Sequence, residues 1–251
     1  MGKAEAQLRV ESRAHPTDRA LALYGVGGCS LAERRVVVEG QRVVAIRFGR
    51  LALVVGYVDP GACAPSELER CRGDRLWLRR EARRHERVLE RVCGREAVVP
   101  VPLLTVYPGL DALEAIARER YARWSRSLAR LAGKSELGIY VFGGPHAVPE
   151  IEPPLAREGG RNSRTGPRAR PEPTPLETHV RALWDACARS SNAIRRIDGD
   201  GVRGYVLGIA VLVGEAESSD LRKELEQLAP AGQSLGLSTY LEGPRLPFSF
   251  V

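Results

Sequence analysis

Three short stretches of the sequence carry residue types at spacings that catalysis uses. Residues 232–236 read Gly-Gln-Ser-Leu-Gly, the G-x-S-x-G pattern that places a nucleophilic serine on a turn between a strand and a helix. That chemistry also needs an Asp and then a His further along the chain, and neither occurs after Ser234. Because we expect a helix before this pattern and a strand after it, the pattern indicates a glycine-bounded turn rather than a nucleophile.

The second stretch, Gly133-Lys134-Ser135, matches the end of a phosphate-binding P-loop. The first glycine of that loop would have to stand where Leu128 lies, within an expected helix. A helix stop at Gly133 explains the triplet better. No dinucleotide fingerprint is present either, because residues 25–28 lack the later glycine and the downstream acid.

The third stretch places Glu81 and His85 one helical turn apart, as two ligands of a metal ion could be. A third ligand would have to come from elsewhere, and the other histidines are His15, His146 and His179. We therefore expect a surface or half-buried His85 paired with Glu81. No part of the sequence combines a nucleophile, a base and an orienting group. An enzyme is therefore the less favoured class of protein, and no cofactor or metal is expected.

Composition is that of a soluble globular protein. The 251 residues are 43% hydrophobic and 27% charged, enough for one large domain or two small ones. No apolar run approaches the roughly 20 residues that span a bilayer. The first eighteen residues are charged throughout and lack the apolar core of a signal peptide, so we expect a flexible arm and a cytoplasmic protein.

The charge and the cysteines narrow the class of protein. A net charge of +7 makes nucleic acid or an acidic partner a candidate. Only three of the 38 basic residues are lysines, and most arginines stand beside Glu in helical stretches, which favours solvated helix faces. The five cysteines form no CxxC pair, which argues against a disulfide framework and a structural zinc site.

The first half of the chain predicts a sheet followed by helices. Apolar runs indicate strands at 20–26, 35–39, 42–48 and 51–58, with Gly40-Gln41 as a two-residue hairpin link. So many strands in so short a stretch imply an antiparallel or mixed sheet. Amphipathic periodicity predicts helices at 74–93 and 111–132, and two prolines make residues 97–107 an edge strand or irregular segment.

The second half predicts a ferredoxin-like β-α-β-β-α-β unit. Strands are expected at 137–142, 204–213 and 235–241, and helices at 176–196 and 220–228, the latter capped by Ser218 or Ser219. The remaining strand is poorly marked, near residues 194–197. Residues 149–175 are rich in Pro, Gly and Arg and predict a mobile insertion. The prediction is an α+β protein with an arm at 1–18 and domains at 19–135 and 136–251.

The closing segment GPRLPFSFV carries a family resemblance. It holds Gly243, Pro244, Pro247, Phe248 and Phe250, and so half of the four phenylalanines of the chain. It resembles GPWPPYSFV, the C-terminal signature of the gas vesicle protein F/L family. Four further stretches resemble family motifs: Tyr24-Gly25-Val26, the LALVV run at 51–55, Trp77-Leu78 with His85-Glu86, and Glu136-x-Gly138-Ile139-x-Val141.

The chain departs from the family pattern at three places. After Pro102 the family continues with Arg and a Gly-Thr pair, whereas this chain has LLTVY. Leu137 and Tyr140 stand where Trp and Lys are common, and Arg245 with Leu246 replaces Trp-Pro. Each replacement still fits a strand or an extended segment.

The resemblance implies a non-enzymatic, cytoplasmic factor of gas vesicle assembly with two α+β domains, the second a modified ferredoxin-like fold. Its implied partners are the small hydrophobic shell protein and other accessory gas vesicle proteins, with no membrane. A basic nucleic-acid-binding module and an unrecognised small-molecule enzyme are the alternatives. Trp77, His85 and the closing signature are the candidate partner-binding or structural residues. We expect Phe248 and Phe250 to pack near the domain interface rather than face a partner.

Overall fold

A computed structural model describes residues 20–61, 65–144, 172–199 and 202–251. These residues form two compact units. Unit 1 comprises the described residues up to Gly133 together with Leu246–Ser249 and Val251, and unit 2 comprises those from Lys134 to Arg245 together with Phe250. The predicted arm and nearly all of the predicted insertion lie outside the described residues.

Unit 1 is an antiparallel sheet with three helices. The strands are β1 (Ala20–Gly28), β2 (Arg35–Val38), β3 (Gln41–Phe48), β4 (Leu51–Val58), β5 (Val98–Pro100) and β6 (Val106–Tyr107), and the helices are α1 (Pro65–Arg72), α2 (Arg75–Cys93) and α3 (Leu110–Leu131). The sheet order is β2-β3-β4-β1-β5, and β6 also pairs with β1. The sequence predicted an antiparallel or mixed sheet, and these strands pair antiparallel.

The β2–β3 hairpin turns one residue earlier than the sequence suggested. Its two turn residues are Glu39 and Gly40, with φ of 50° and 80°, as a tight hairpin of matching twist requires. Gln41 belongs to the ladder, where it pairs with Val38. The predicted Gly40-Gln41 link is therefore wrong by one position, which leaves the Gln41 side chain fixed on a strand.

Helix α2 supplies much of the core of unit 1. Its carboxylate cap is Asp74, which accepts hydrogen bonds from the backbone N–H groups of Leu76 and Trp77. Val88, Leu89 and Val92 are fully buried against the sheet. Gly25 of β1 allows this approach, because a Cβ there would lie 2.8 Å from Cδ2 of Leu89.

Unit 2 has the predicted ferredoxin-like topology. Its strands are β7 (Lys134–Gly143), β8 (Ala193–Arg196), β9 (Tyr205–Gly214) and β10 (Leu237–Arg245), and its helices are α4 (Pro175–Arg189) and α5 (Glu215–Ser234). The antiparallel sheet has the order β10-β7-β9-β8, so the first and third strands are central. The poorly marked strand is β8. The helix predicted at 176–196 is too long, because it ends at Arg189 and residues 193–196 form this strand.

Both helices of unit 2 begin earlier than the sequence predicted. Helix α4 begins at Pro175, inside the predicted insertion, where Thr174 and Glu177 form a capping box. Helix α5 begins at Glu215, directly after β9, so the predicted caps Ser218 and Ser219 are wrong. Acidic side chains in the first turn of α5 favour this start through the helix dipole.

Strand β10 also runs further than predicted. It passes through Gly243 and Pro244 to Arg245, with a shift in register after Glu242. A proline is tolerated there because β10 is an edge strand and needs no second hydrogen-bonded neighbour. Within the residues described, no helix combines the length and apolarity needed to cross a membrane.

Candidate functional site

Unit 1 contains an open cleft of about 520 Å³. The start of β1, the β2–β3 turn, the end of β4, the first half of α2 and the segment before β6 surround it. Its lining residues are Ala22, Leu23, Tyr24, Glu39, Gly40, Gln41, Tyr57, Val58, Asp59, Trp77, Glu81, Arg84, His85, Leu103, Leu104, Thr105 and Val106. Two of the residues that the sequence marked, Trp77 and His85, therefore lie in one cavity.

Gln41 organises the polar part of this cleft. Its Oε1 accepts hydrogen bonds from the Tyr24 hydroxyl, at 2.7 Å, and from the Arg84 guanidinium. Its Nε2 donates to the carbonyl of Tyr57 at 3.1 Å. Arg84 also pairs with Glu81 at 3.5 Å, while its buried Nε has no hydrogen-bond partner in the described structure. These bonds hold the guanidinium in place from both the sheet and its own helix.

His85 is a neutral packing residue rather than the partner of Glu81. Only 4% of it is exposed, and its Nε2 lies 2.8 Å from the carbonyl oxygen of Tyr24. Because a carbonyl can only accept, Nε2 carries the proton. Burial lowers the pKa of His85, and the hydrogen bond to Tyr24 opposes that shift. The predicted Glu81–His85 pair is wrong, because Glu81 forms its ion pair with Arg84.

The outer walls of the cleft are apolar. Trp77 is half-buried in the first turn of α2, which the Asp74 carboxylate holds through hydrogen bonds of 2.9 and 3.0 Å. On the opposite side, Leu104 adopts a φ of 64°, a conformation that L residues with bulky side chains rarely take. The neighbouring Thr105 fixes this segment: its carbonyl accepts from the backbone of Leu23, and its hydroxyl donates to the carbonyl of Pro102 at 2.6 Å.

The catalytic motifs found in the sequence do not assemble a catalytic site. Ser234 is the last residue of α5, and its hydroxyl donates to the carbonyl of Ala231 at 2.8 Å. Gly133 has a φ of 69° between α3 and β7, as a helix stop does. Across the described ranges, no three or more His, Cys, Asp or Glu side chains are grouped to hold a metal ion.

Both aromatic residues of the closing signature are packed. Phe248 belongs to unit 1, where its ring lies 5.8 Å from the ring of His85. Phe250 belongs to unit 2 and is 1% exposed, with the Arg195 guanidinium 5.7 Å above its ring. Pro247 precedes the short 3-10 turn that carries both rings. That they lie near a domain interface stays a prediction.

Gly243 of the signature is required by its backbone. Its φ is 107°, and a Cβ at this position would lie 2.7 Å from the carbonyl oxygen of Glu136. Real Cβ atoms do not approach backbone oxygens so closely. The glycine of the signature therefore permits the contact between β10 and β7.

Sequence reasoning missed the ion pair between Glu136 and Arg245. Glu136 is fully buried, and its Oε1 accepts from Nε of Arg245 at 3.1 Å and from a terminal guanidinium nitrogen at 2.7 Å. The second nitrogen also lies 3.4 Å from the Tyr140 hydroxyl oxygen. The available signal was a glutamate inside an apolar strand together with an arginine where the family pattern has Trp. These two residues stand 109 positions apart in the chain, so no local pattern joins them.

Comparison with known proteins agrees with this architecture. The model of the family described as "Gas vesicle synthesis protein GvpL/GvpF" matches residues 20–251. Gas vesicle protein L of Streptomyces sp. (strain CB03234) is 28% identical over 254 residues, which cover 93% of each chain.

Two solved structures share the fold. The crystal structure of gas vesicle protein GvpF from Anabaena sp. PCC7120 superposes with a TM-score of 0.65 at 13% identity, covering 92% of this chain and 98% of the other. That of GvpF from Microcystis aeruginosa has a TM-score of 0.55 at 14% identity, with the same coverage. Since the family model matches nearly the whole chain, the chain belongs to the GvpL/GvpF family of gas vesicle synthesis proteins.

Proposed function

We propose that this chain is a non-enzymatic accessory protein of gas vesicle assembly that binds the small hydrophobic shell protein and other gas vesicle accessory proteins. The observation that carries the proposal is the family match over residues 20–251, which includes the closing signature. The relative from Streptomyces, which is itself named a gas vesicle protein, supports the same assignment.

A physical role follows from the nature of the shell. Subunits that polymerise into a gas-tight wall expose apolar surface before they assemble, and exposed apolar surface favours aggregation. An accessory protein that covers this surface transiently keeps the subunits available for growth. The proposed place of action is the cytoplasm, in association with the growing vesicle.

Co-expression tests the proposal directly. The tagged chain is expressed with untagged shell protein and recovered on resin, and an unrelated tagged protein of similar net charge serves as the control. Retention of shell protein well above the control is expected. Retention at the control level contradicts the proposed binding.

A further inference from the structure

The cleft of unit 1 joins apolar walls to an excess of negative charge. Three carboxylates line it, those of Glu39, Asp59 and Glu81, and Arg84 is the single arginine or lysine among the described residues that do so. Buried His85 adds no charge near neutral pH, because burial lowers its pKa. The cleft is thus negative within a chain whose net charge is +7.

The arginines that the structure describes beside the cleft do not cancel this charge. Arg84 already donates to Gln41 and pairs with Glu81. Arg87 pairs with Glu39 from outside the lining. Even with Arg87 included, the carboxylates outnumber the guanidinium groups by one. Within the described part of the chain, the Asp59 carboxylate accepts a hydrogen bond from the backbone N–H of Gly61 at 2.9 Å and forms no ion pair.

The aromatic residues of the cleft favour the same kind of ligand. Trp77 and Tyr57 are lining residues, and the faces of such aromatic rings attract the side chains of Arg and Lys. Leu103, Leu104 and Val106 complete the lining with apolar side chains. An anionic segment would meet repulsion, and a purely apolar one would leave the excess negative charge of the cleft uncompensated.

We propose that this cleft binds an apolar segment of a partner protein that carries an arginine or lysine side chain. This inference rests on the proposed function, in which the chain binds other proteins during assembly, and it names the surface and the chemistry of the segment. The apolar part of the segment lies against Trp77 and the 103–106 wall, and its cation lies between Asp59 and Glu81.

Two matched peptides test the proposed chemistry. Each is a short, blocked, fluorescently labelled peptide of leucine, alanine and serine, with a central arginine in one and glutamate in the other. Binding to the full chain is followed by fluorescence anisotropy. The double variant D59N/E81Q removes two carboxylates from the cleft, and the amide oxygen introduced by D59N can still accept the bond from Gly61. The control E119Q/E226Q removes two exposed carboxylates from α3 and α5, outside the lining.

The wild type should bind the arginine peptide about tenfold more tightly than the glutamate peptide at low salt. D59N/E81Q should reduce that preference to about twofold, and the control should keep it. The preference should also shrink at high salt, where the charges are screened. Equal binding of the two peptides by the wild type, or the same loss in the control, overturns the proposal.

Shell-protein retention by the same variants separates this inference from the proposed function. Retention by the wild type but not by D59N/E81Q supports the cleft as the site. Retention by both, with no peptide preference, overturns the cleft and leaves the assembly role standing. Failure of the wild type to retain shell protein overturns the proposed function. The peptide preference alone then shows whether the cleft binds a cationic apolar segment.

Discussion

Removing the guanidinium of Arg245 tests how unit 2 holds its edge strand. The change is R245M, which keeps most of the apolar stem and removes the charge. Glu136 is fully buried and would lose both of its hydrogen bonds to Arg245, at 2.7 and 3.1 Å. Breaking a buried ion pair from one side costs roughly 3–5 kcal/mol. A quarter of the Arg245 side chain is exposed, so we expect a loss of about 3 kcal/mol, at the low end of that range.

The loss is measured by urea unfolding with pulsed hydrogen exchange of β7, which reports on unit 2 separately from unit 1. E242Q is the matched control, because Glu242 also pairs with Arg245 but is 59% exposed. We expect it to cost under about 1 kcal/mol. The double variant E136L/R245M should recover most of the stability, since apolar residues of similar volume can replace a buried pair. A loss for R245M no larger than for E242Q, or no recovery in the double variant, refutes the reasoning.

Three further outcomes are expected. G243A should lower the free energy of unfolding by more than about 2 kcal/mol in urea, because its Cβ collides with the Glu136 carbonyl and its φ is unfavourable. The control G40A, at an open turn position, should lower it by about 1 kcal/mol. F250A should cost about 3–5 kcal/mol in β7 protection, because this ring is fully buried. Burial holds the pKa of His85 below 6.5, so the unfolded chain takes up a proton first as the pH falls. The free energy of unfolding should therefore decrease below pH 6.5, and H85Q should flatten that decrease; an unchanged slope contradicts the assignment of His85 as a neutral buried residue.

The elements with the strongest periodicity could be predicted well from the sequence. Residues 51–58 form β4 as expected, and the helix predicted at 74–93 is α2, which runs from Arg75 to Cys93 with Asp74 as its cap. The order of elements in unit 2 also followed from the pattern. These features depend on local preferences that each segment carries by itself.

The predictions that failed depend on partners distant in the chain. The spacing of Glu81 and His85 predicted a surface or half-buried pair, because a local pattern could not show that His85 is buried and that the Tyr24 carbonyl is its acceptor. The serines at 218 and 219 are good caps in isolation, yet β9 leads directly into a helix with acidic residues in its first turn. The strand predicted at 235–241 continues through Pro244 to Arg245, and the proline is tolerated because only one side of β10 is paired.

The pairing of β7 with β10 also bears on the order in which the chain folds. The ion pair of Glu136 forms only after Arg245, which lies 109 residues later in the chain, has been synthesised. Unit 1 likewise includes Leu246–Ser249, so its packing is complete only after the whole of unit 2 has been synthesised. Contacts of such long range are slow to form and leave apolar surface exposed meanwhile. Residues 246–250 therefore contribute to both units, and neither unit is completely packed until this segment has been synthesised.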